Sequence, residues 1–349
     1  MKRKHLGITL AIAFALLLAG LGYWRYRTSG FSWSAFAAQL GGLDWTWLTL
    51  AFIGILATYV VRMLRWEIML RPLTAHTSKP RILAATCIGF TAVVLFGRAG
   101  EPVRPYLIAK KEGVSFSSQI AAWLVERILD LMMILVIFGV ALSQVSRTGI
   151  RPSPAFETTL VATGYVAGFT GLVCLCVLIA LRQFRGRVRE RLLEALGFLP
   201  DALHYRVEQF LAAFEEGMQS TRNASFIWQL VGYTVLEWLM VVAAFYCVFQ
   251  AFPATMDFDT GDVIICMGFI ALGSAIQIPG VGGGMQIAAA LVLTQFYGLT
   301  LEVASSVALV LWVVSFVSIV PIGLALAFHE GIKWRNLKEI TKETSGYGL

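Results

Sequence analysis

Charge is the scarcest thing in this chain. Only 14% of its 349 residues are Asp, Glu, Lys or Arg, while 58% are hydrophobic and the mean hydropathy is +0.73. A soluble domain carries nearer ~25% charge, so that class is excluded. The apolar runs are continuous beyond the ~10-residue alternation of a barrel strand, which excludes a transmembrane barrel and leaves spanning helices. The five cysteines, Cys87, Cys174, Cys176, Cys247 and Cys266, all sit in apolar stretches and make no CxxC pair. We expect small buried hydrophobes, with no disulfide and no metal site. The four histidines, His5, His76, His204 and His329, are scattered and form no ligand set. No hydrolase, zinc-protease or P-loop signature occurs, and no cofactor is expected. The formal charge of +7 suggests nucleic acid only until its placement is considered.

That placement follows a membrane. Six stretches are long enough to cross ~30 Å of hydrocarbon: about 6–24, 45–64, 119–143, 158–181, 227–250 and 303–328. Three more, 82–96, 263–278 and 285–298, are short or interrupted and read as re-entrant legs. The segment 6–24 exceeds a signal-peptide core of ~7–15 residues, so a retained span is expected. With the N-terminus inside, Arg62, Arg65, Arg71, Lys79, Arg81, seven arginines of 182–222 and Lys333, Arg335, Lys338 and Lys342 fall on the cytoplasmic side. This is a strong positive-inside bias. It places the protein in the plasma (inner) membrane with both termini cytoplasmic, and explains the basic balance without nucleic acid. Arg62, Arg65 and Trp66, at the end of the second span, read as interfacial anchors. The connection 182–226 has Leu203, Val207, Phe210, Phe214 and Met218 at helical spacing, which predicts an amphipathic helix on the bundle or membrane surface.

A glycine-rich break occurs twice. The first is Phe96-Gly97-Arg98-Ala99-Gly100-Glu101-Pro102; the second is Pro279-Gly280-Val281-Gly282-Gly283-Gly284. Each is followed by a similar tetrad, Gly113-Val114-Ser115-Phe116 and Gly298-Leu299-Thr300-Leu301, and then a long apolar segment. Backbone freed at membrane depth must be buried in protein or line a cavity. Charge topology makes the first break enter from the cytoplasm and the second from outside. The chain then divides into two inverted units, 6–143 and 158–328, with a cytoplasmic tail 329–349. Interrupted segments at corresponding places in two halves point to a substrate site.

Candidate site residues cluster at the breaks. Arg98, Glu101, Arg104 and Tyr106 surround a helix start near Pro102, where free N–H groups and two arginines suit an anionic group such as a lipid phosphate. The alternative is that both arginines pair with Glu101 and merely fix the hairpin. Glu126, Arg127 and Asp130 lie early in the span 119–143, and charge at that depth must face protein or water. Two acids against one arginine call for a further cation, from Arg98 or Arg104. Gly280, Gly282, Gly283 and Gly284 with Gln286 offer either a backbone N–H nest or a close-packed turn.

The runs Arg98–Tyr106, Glu126–Asp130 and Pro279–Gly284 together resemble the lysylphosphatidylglycerol synthase transmembrane region, a flippase-like family, over nearly the whole chain. The resemblance implies a lipid-translocating membrane domain. In multiple peptide resistance factors this region is fused to a soluble aminoacyl-transferase, which is not found in this sequence, so no lipid synthesis is expected. Many relatives carry a Glu shortly after the second break; Gln286 stands near that place. The expectation is a helical bundle of two inverted units, not an enzyme, which translocates or binds an anionic membrane lipid. A homo-oligomer is compatible with this reading. The runner-up is an enzyme modifying a lipid-linked substrate, with Glu126 or Asp130 as base.

Overall fold

The computed structural model describes residues 30–148, 154–183, 186–196, 200–217, 224–274, 277–278 and 282–331. The expected first span 6–24 and most of the tail lie outside them. The described residues form helices almost throughout. In chain order these are α1 (Trp33–Gly41), α2 (Trp45–Leu70) and α3 (Lys79–Phe96), then, after a 3-10 turn at Gly97–Gly100, α4 (Val103–Glu112) and α5 (Phe116–Thr148). There follow α6 (Pro154–Gln183), α7 (Gly186–Ala195), α8 (Asp201–Gly217), α9 (Ala224–Gln250) and α10 (Thr260–Gly273). A short antiparallel pair, β1 (Gln277–Ile278) with β2 (Gly282–Gly283), leads into α11 (Gly284–Gln295), α12 (Leu301–Ser315) and α13 (Val320–His329).

Five of the described helical stretches are long and apolar enough to cross a membrane: Trp45–Leu70, Lys79–Gly100, Phe116–Val145, Ser225–Gln250 and Leu301–His329. One differs from expectation. The leg expected at 82–96 belongs to a longer run that reaches spanning length, because its helix begins at Lys79 with Pro80 in its first turn, where a missing N–H is tolerated. The stretch expected at 158–181 lies within the 30-residue α6. The break between α12 and α13 is a 3-10 turn at Val317–Ile319, with Pro321 in the first turn of α13. Proline cannot supply its N–H to the preceding turn, so the stretch bends there.

The two tetrads adopt the same local structure. Gly113 (φ +69°) and Gly298 (φ +64°) both end a helix in the left-handed region, which glycine enters without a Cβ penalty. The hydroxyl two positions later then accepts a backbone N–H of the next helix: Ser115 Oγ from Ser118 and Thr300 Oγ1 from Val303.

Helices α2 and α9 form the centre and run antiparallel. Asp44 N donates to the Ala251 carbonyl at 2.9 Å at one end, and Arg71 reaches Gln229 at 3.3 Å at the other. Around them the contacts exchange under a swap of halves. Helix α10 packs on α5 as α13 packs on α3; α3 packs on α4 as α10 packs on α11; α4 packs on α5 as α11 packs on α12. The hairpins open at opposite ends. Lys111 and Glu330 tie α4 to the end of α13, beside the α2 terminus, while Tyr297 Oη meets Asp262 at 3.1 Å at the other end. Their tips meet, because β1 lies against the 3-10 turn. In the connection, α8 packs on the start of α5 through Phe214 and Gly217, while Leu203 and Phe210 remain exposed; Met218 lies outside the described residues.

In a bilayer, helix association relies on close van der Waals packing rather than on hiding apolar surface from water. Gly100 is one such close approach of backbone to backbone. A Cβ there would overlap the backbone of Ala92 and Val93, whereas at Gly139 it would meet nothing within 4 Å. Gly100→Ala is therefore expected to lower stability by about 1–3 kcal/mol through overpacking. Gly139→Ala should be neutral or mildly stabilising, since alanine is the better helix former. Thermal unfolding in detergent checks both, and equal midpoints for the two variants would refute the close approach at the hairpin tip.

Candidate functional site

The charged residues of four helices converge beside the first hairpin. Helix α2 supplies Arg62, Arg65 and Trp66, α4 supplies Arg104, α5 supplies Glu126, Arg127 and Asp130, and α9 supplies Glu237. Six positions separate Arg65 from Arg71, and ten separate Phe116 from Glu126. At 1.5 Å per residue that is about 9 Å and about 15 Å of helix from the nearer end. The cluster therefore lies within the spans rather than at their mouths.

Arg65 is the hub. Its Nη1 donates to Asp130 Oδ1 at 2.7 Å and Glu237 Oε2 at 2.6 Å, and its Nη2 to the Glu126 carbonyl at 3.4 Å. The other oxygen of Glu237 holds Arg62 Nη2 at 2.8 Å. Glu126 Oε2 accepts from Arg104 Nη2 and from Trp66 Nε1, and its Oε1 accepts from Arg127 Nη2 at 3.1 Å. Arg127 also reaches Asp130 at 3.1 Å, one turn along α5. Every carboxylate is thus held by at least two guanidinium groups.

Four guanidinium groups face three carboxylates, which leaves one positive charge among these residues. Uncompensated charge in a low-dielectric interior is costly, so the excess has to be offset by another group. Donors are left over as well. Arg62 Nε, Arg65 Nε, Arg104 Nη1 and Arg127 Nε are buried without a hydrogen-bond partner. Native interiors rarely leave such groups unsatisfied. The cluster has more positive charge and more N–H groups than its own acids absorb, which is what an anion requires.

The residues singled out from the sequence separate into three groups. Arg104, Glu126, Arg127 and Asp130 come together, and Arg104 is the cation that the two acids called for. Arg98 is 69% exposed and sits 3.9 Å from Glu101, the hairpin-fixing alternative. The Tyr106 ring forms a T-shaped pair with Phe116, centroids 6.4 Å apart. At the second break, Gly283 N donates to Gln286 Oε1 at 2.7 Å, so the Gln286 carbonyl caps its own helix. Gly284 packs against Gly273, Gly282 pairs with Ile278, and Gly280 lies outside the described residues.

Two further findings correct the sequence reading. Arg62, Arg65 and Trp66 are not interfacial anchors: α2 continues to Leu70, and Arg65 and Trp66 are fully buried. The arginines persist inside the helix because α5 and α9 bring their counter-ions. Glu237, also buried, was not anticipated. Its signal was present, since it is the one acidic residue in the apolar run 227–250, and the cost that marks Glu126 applies to it equally. Among the described residues, no group of three or more His, Cys, Asp or Glu is placed to hold a metal ion.

A polytopic helical bundle with paired interrupted hairpins and a buried arginine–carboxylate cluster defines the class: an integral membrane protein with a polar site enclosed between its helices. A family model described as "Lysylphosphatidylglycerol synthase TM region" matches residues 6–323, and the chain belongs to that family. Its membership makes it a lipid-related membrane protein. No curated protein and no solved structure matches the chain.

Proposed function

We propose that the protein translocates an anionic, phosphate-bearing lipid across the plasma membrane, the headgroup passing the arginine cluster while the tails stay in the bilayer. One observation carries this reading: the buried cluster holds an excess guanidinium beside the point where the two hairpin tips touch. Arg104 stands in the first turn of α4, directly after the turn that β1 contacts. The exchange of contacts between halves supports two inverted units with re-entrant hairpins, the arrangement in which one half rocks against the other around a fixed site. Both termini would then be cytoplasmic. Glu126 and Asp130 are each engaged by arginines, which leaves them as counter-ions rather than as a base for catalysis.

Reconstitution in liposomes tests this. Wild-type protein should move labelled phosphatidylglycerol between leaflets. Arg104→Gln should slow that movement at least about tenfold, the usual scale of a lost charge-assisted hydrogen bond. Arg98→Gln, at the surface of the hairpin, should stay within about twofold. No protein-dependent movement of any anionic lipid would overturn the proposal.

A further inference from the structure

We infer that Arg62 and Arg104, ranged over the ring of Phe90, form a clamp for one monoanionic phosphodiester and discriminate against a phosphomonoester dianion. This rests on the anionic-lipid reading above and specifies what it recognises.

The clamp has a built floor. The guanidinium carbon of Arg62 lies 4.4 Å, and that of Arg104 5.0 Å, from the centroid of the Phe90 ring. Tyr59 fixes that ring edge-on at 5.3 Å, and Trp66 supports Arg104 at 4.6 Å. Planar guanidinium groups stacked on aromatic faces lose little further freedom on gripping a ligand. Each arginine also has one side anchored, Arg62 Nη2 by Glu237 and Arg104 Nη2 by Glu126. What remains on each is a buried donor without a partner, Arg62 Nε and Arg104 Nη1. The Arg104 side chain is only 5% exposed, so water does not readily serve it, whereas Arg62 at 18% reaches the surface and marks the way in. Two donors from two arginines suit two oxygens of one tetrahedral group.

The charge count sets the class of ligand. With one positive charge unmatched, a monoanion brings the cluster to neutrality. A dianion would leave a net negative charge in a medium where burying charge is costly. A phosphodiester carries one charge at any physiological pH. A phosphomonoester, with a second pKa of ~6, is largely dianionic at pH 8.

Purified protein in detergent at pH 8 provides the test, by titration with short-chain phosphatidylglycerol, short-chain phosphatidic acid and tail-free glycerophosphoglycerol. The diester lipid should bind at least about tenfold tighter than the monoester lipid. Arg62→Gln should weaken diester binding about tenfold or more. Arg62→Lys, which keeps a charge beside Glu237 but loses the fork, should do the same, and stands in should the first variant not fold. Equal or tighter binding of phosphatidic acid would overturn the charge selection while leaving anionic-lipid transport intact. Unchanged affinity in both Arg62 variants would remove Arg62 as a ligand. Tail-free diester binding as tightly as the lipid would uphold the clamp and count against lipid translocation. Transport by the wild type without measurable binding of any of the three would refute the clamp alone.

Discussion

Arg65→Met is expected to destabilise the protein by about 3–5 kcal/mol, the usual cost of breaking a buried ion pair from one side. Arg65 is buried and its guanidinium is shared between Asp130 and Glu237, with Glu126 close by. Removing it strands Glu237 on the single remaining contact with Arg62 and leaves Asp130 with Arg127. Arg65→Lys should recover only part of the loss, because a compact ammonium cannot bridge two carboxylates as a planar fork does. Arg65→Met combined with Glu237→Met should cost less than the sum of the two single changes, since both remove the same Arg65–Glu237 contact. Such non-additivity is the signature of a coupled network. Thermal unfolding followed by tryptophan fluorescence reads them all. A midpoint for Arg65→Met within a degree of the wild type would show that the network contributes little to stability.

Glu126→Gln should shift the ligand preference toward the phosphomonoester and slow transport. The amide keeps the shape of the side chain and its carbonyl still accepts from Trp66 or Arg104, but one negative charge is gone. The cluster then carries two unmatched positive charges in place of one. Phosphatidic acid should gain affinity relative to phosphatidylglycerol by at least about tenfold, as charge-assisted hydrogen bonds are worth ~1.5–3 kcal/mol. Transport of the diester lipid should fall, because a cluster with a second unmatched positive charge holds an anionic headgroup more tightly and releases it slowly. Binding titrations and liposome transport on the same preparation separate the two effects. An unchanged lipid preference, with the variant folded, would contradict the proposed balance of charge in the cluster.

Much of the architecture was legible in the residues. Scarce charge and long apolar runs established a helical membrane protein. The Gly-aliphatic-hydroxyl-apolar tetrads marked corresponding places in both halves, and there Gly113 with Ser115 and Gly298 with Thr300 end one helix and cap the next. This worked because left-handed backbone and a hydroxyl cap are local properties, specified by a few consecutive residues. The motif Glu126-Arg127-Ile128-Leu129-Asp130 marked half of the candidate site for a similar reason. Charge at membrane depth is costly wherever it lies, so its presence announces a polar partner.

Which partners it meets was decided by the tertiary structure. Glu237 and Arg62 are 175 positions apart and meet because α2 and α9 run antiparallel in register. Hydropathy gave no warning, because in a bilayer both the lipid-facing and the protein-facing sides of a helix are apolar and no amphipathic stripe tells them apart. The same blindness made Arg62, Arg65 and Trp66 look like the end of a span. A guanidinium inside a helix and one at its mouth are identical in sequence, and only the counter-ions brought by neighbouring helices distinguish them. The sequence by itself determined a membrane bundle with two glycine breaks and one charged helix. The packing of α2, α4, α5 and α9 turned those charges into one buried cluster with a positive charge to spare, because compensation between charges depends on distance in space and not along the chain.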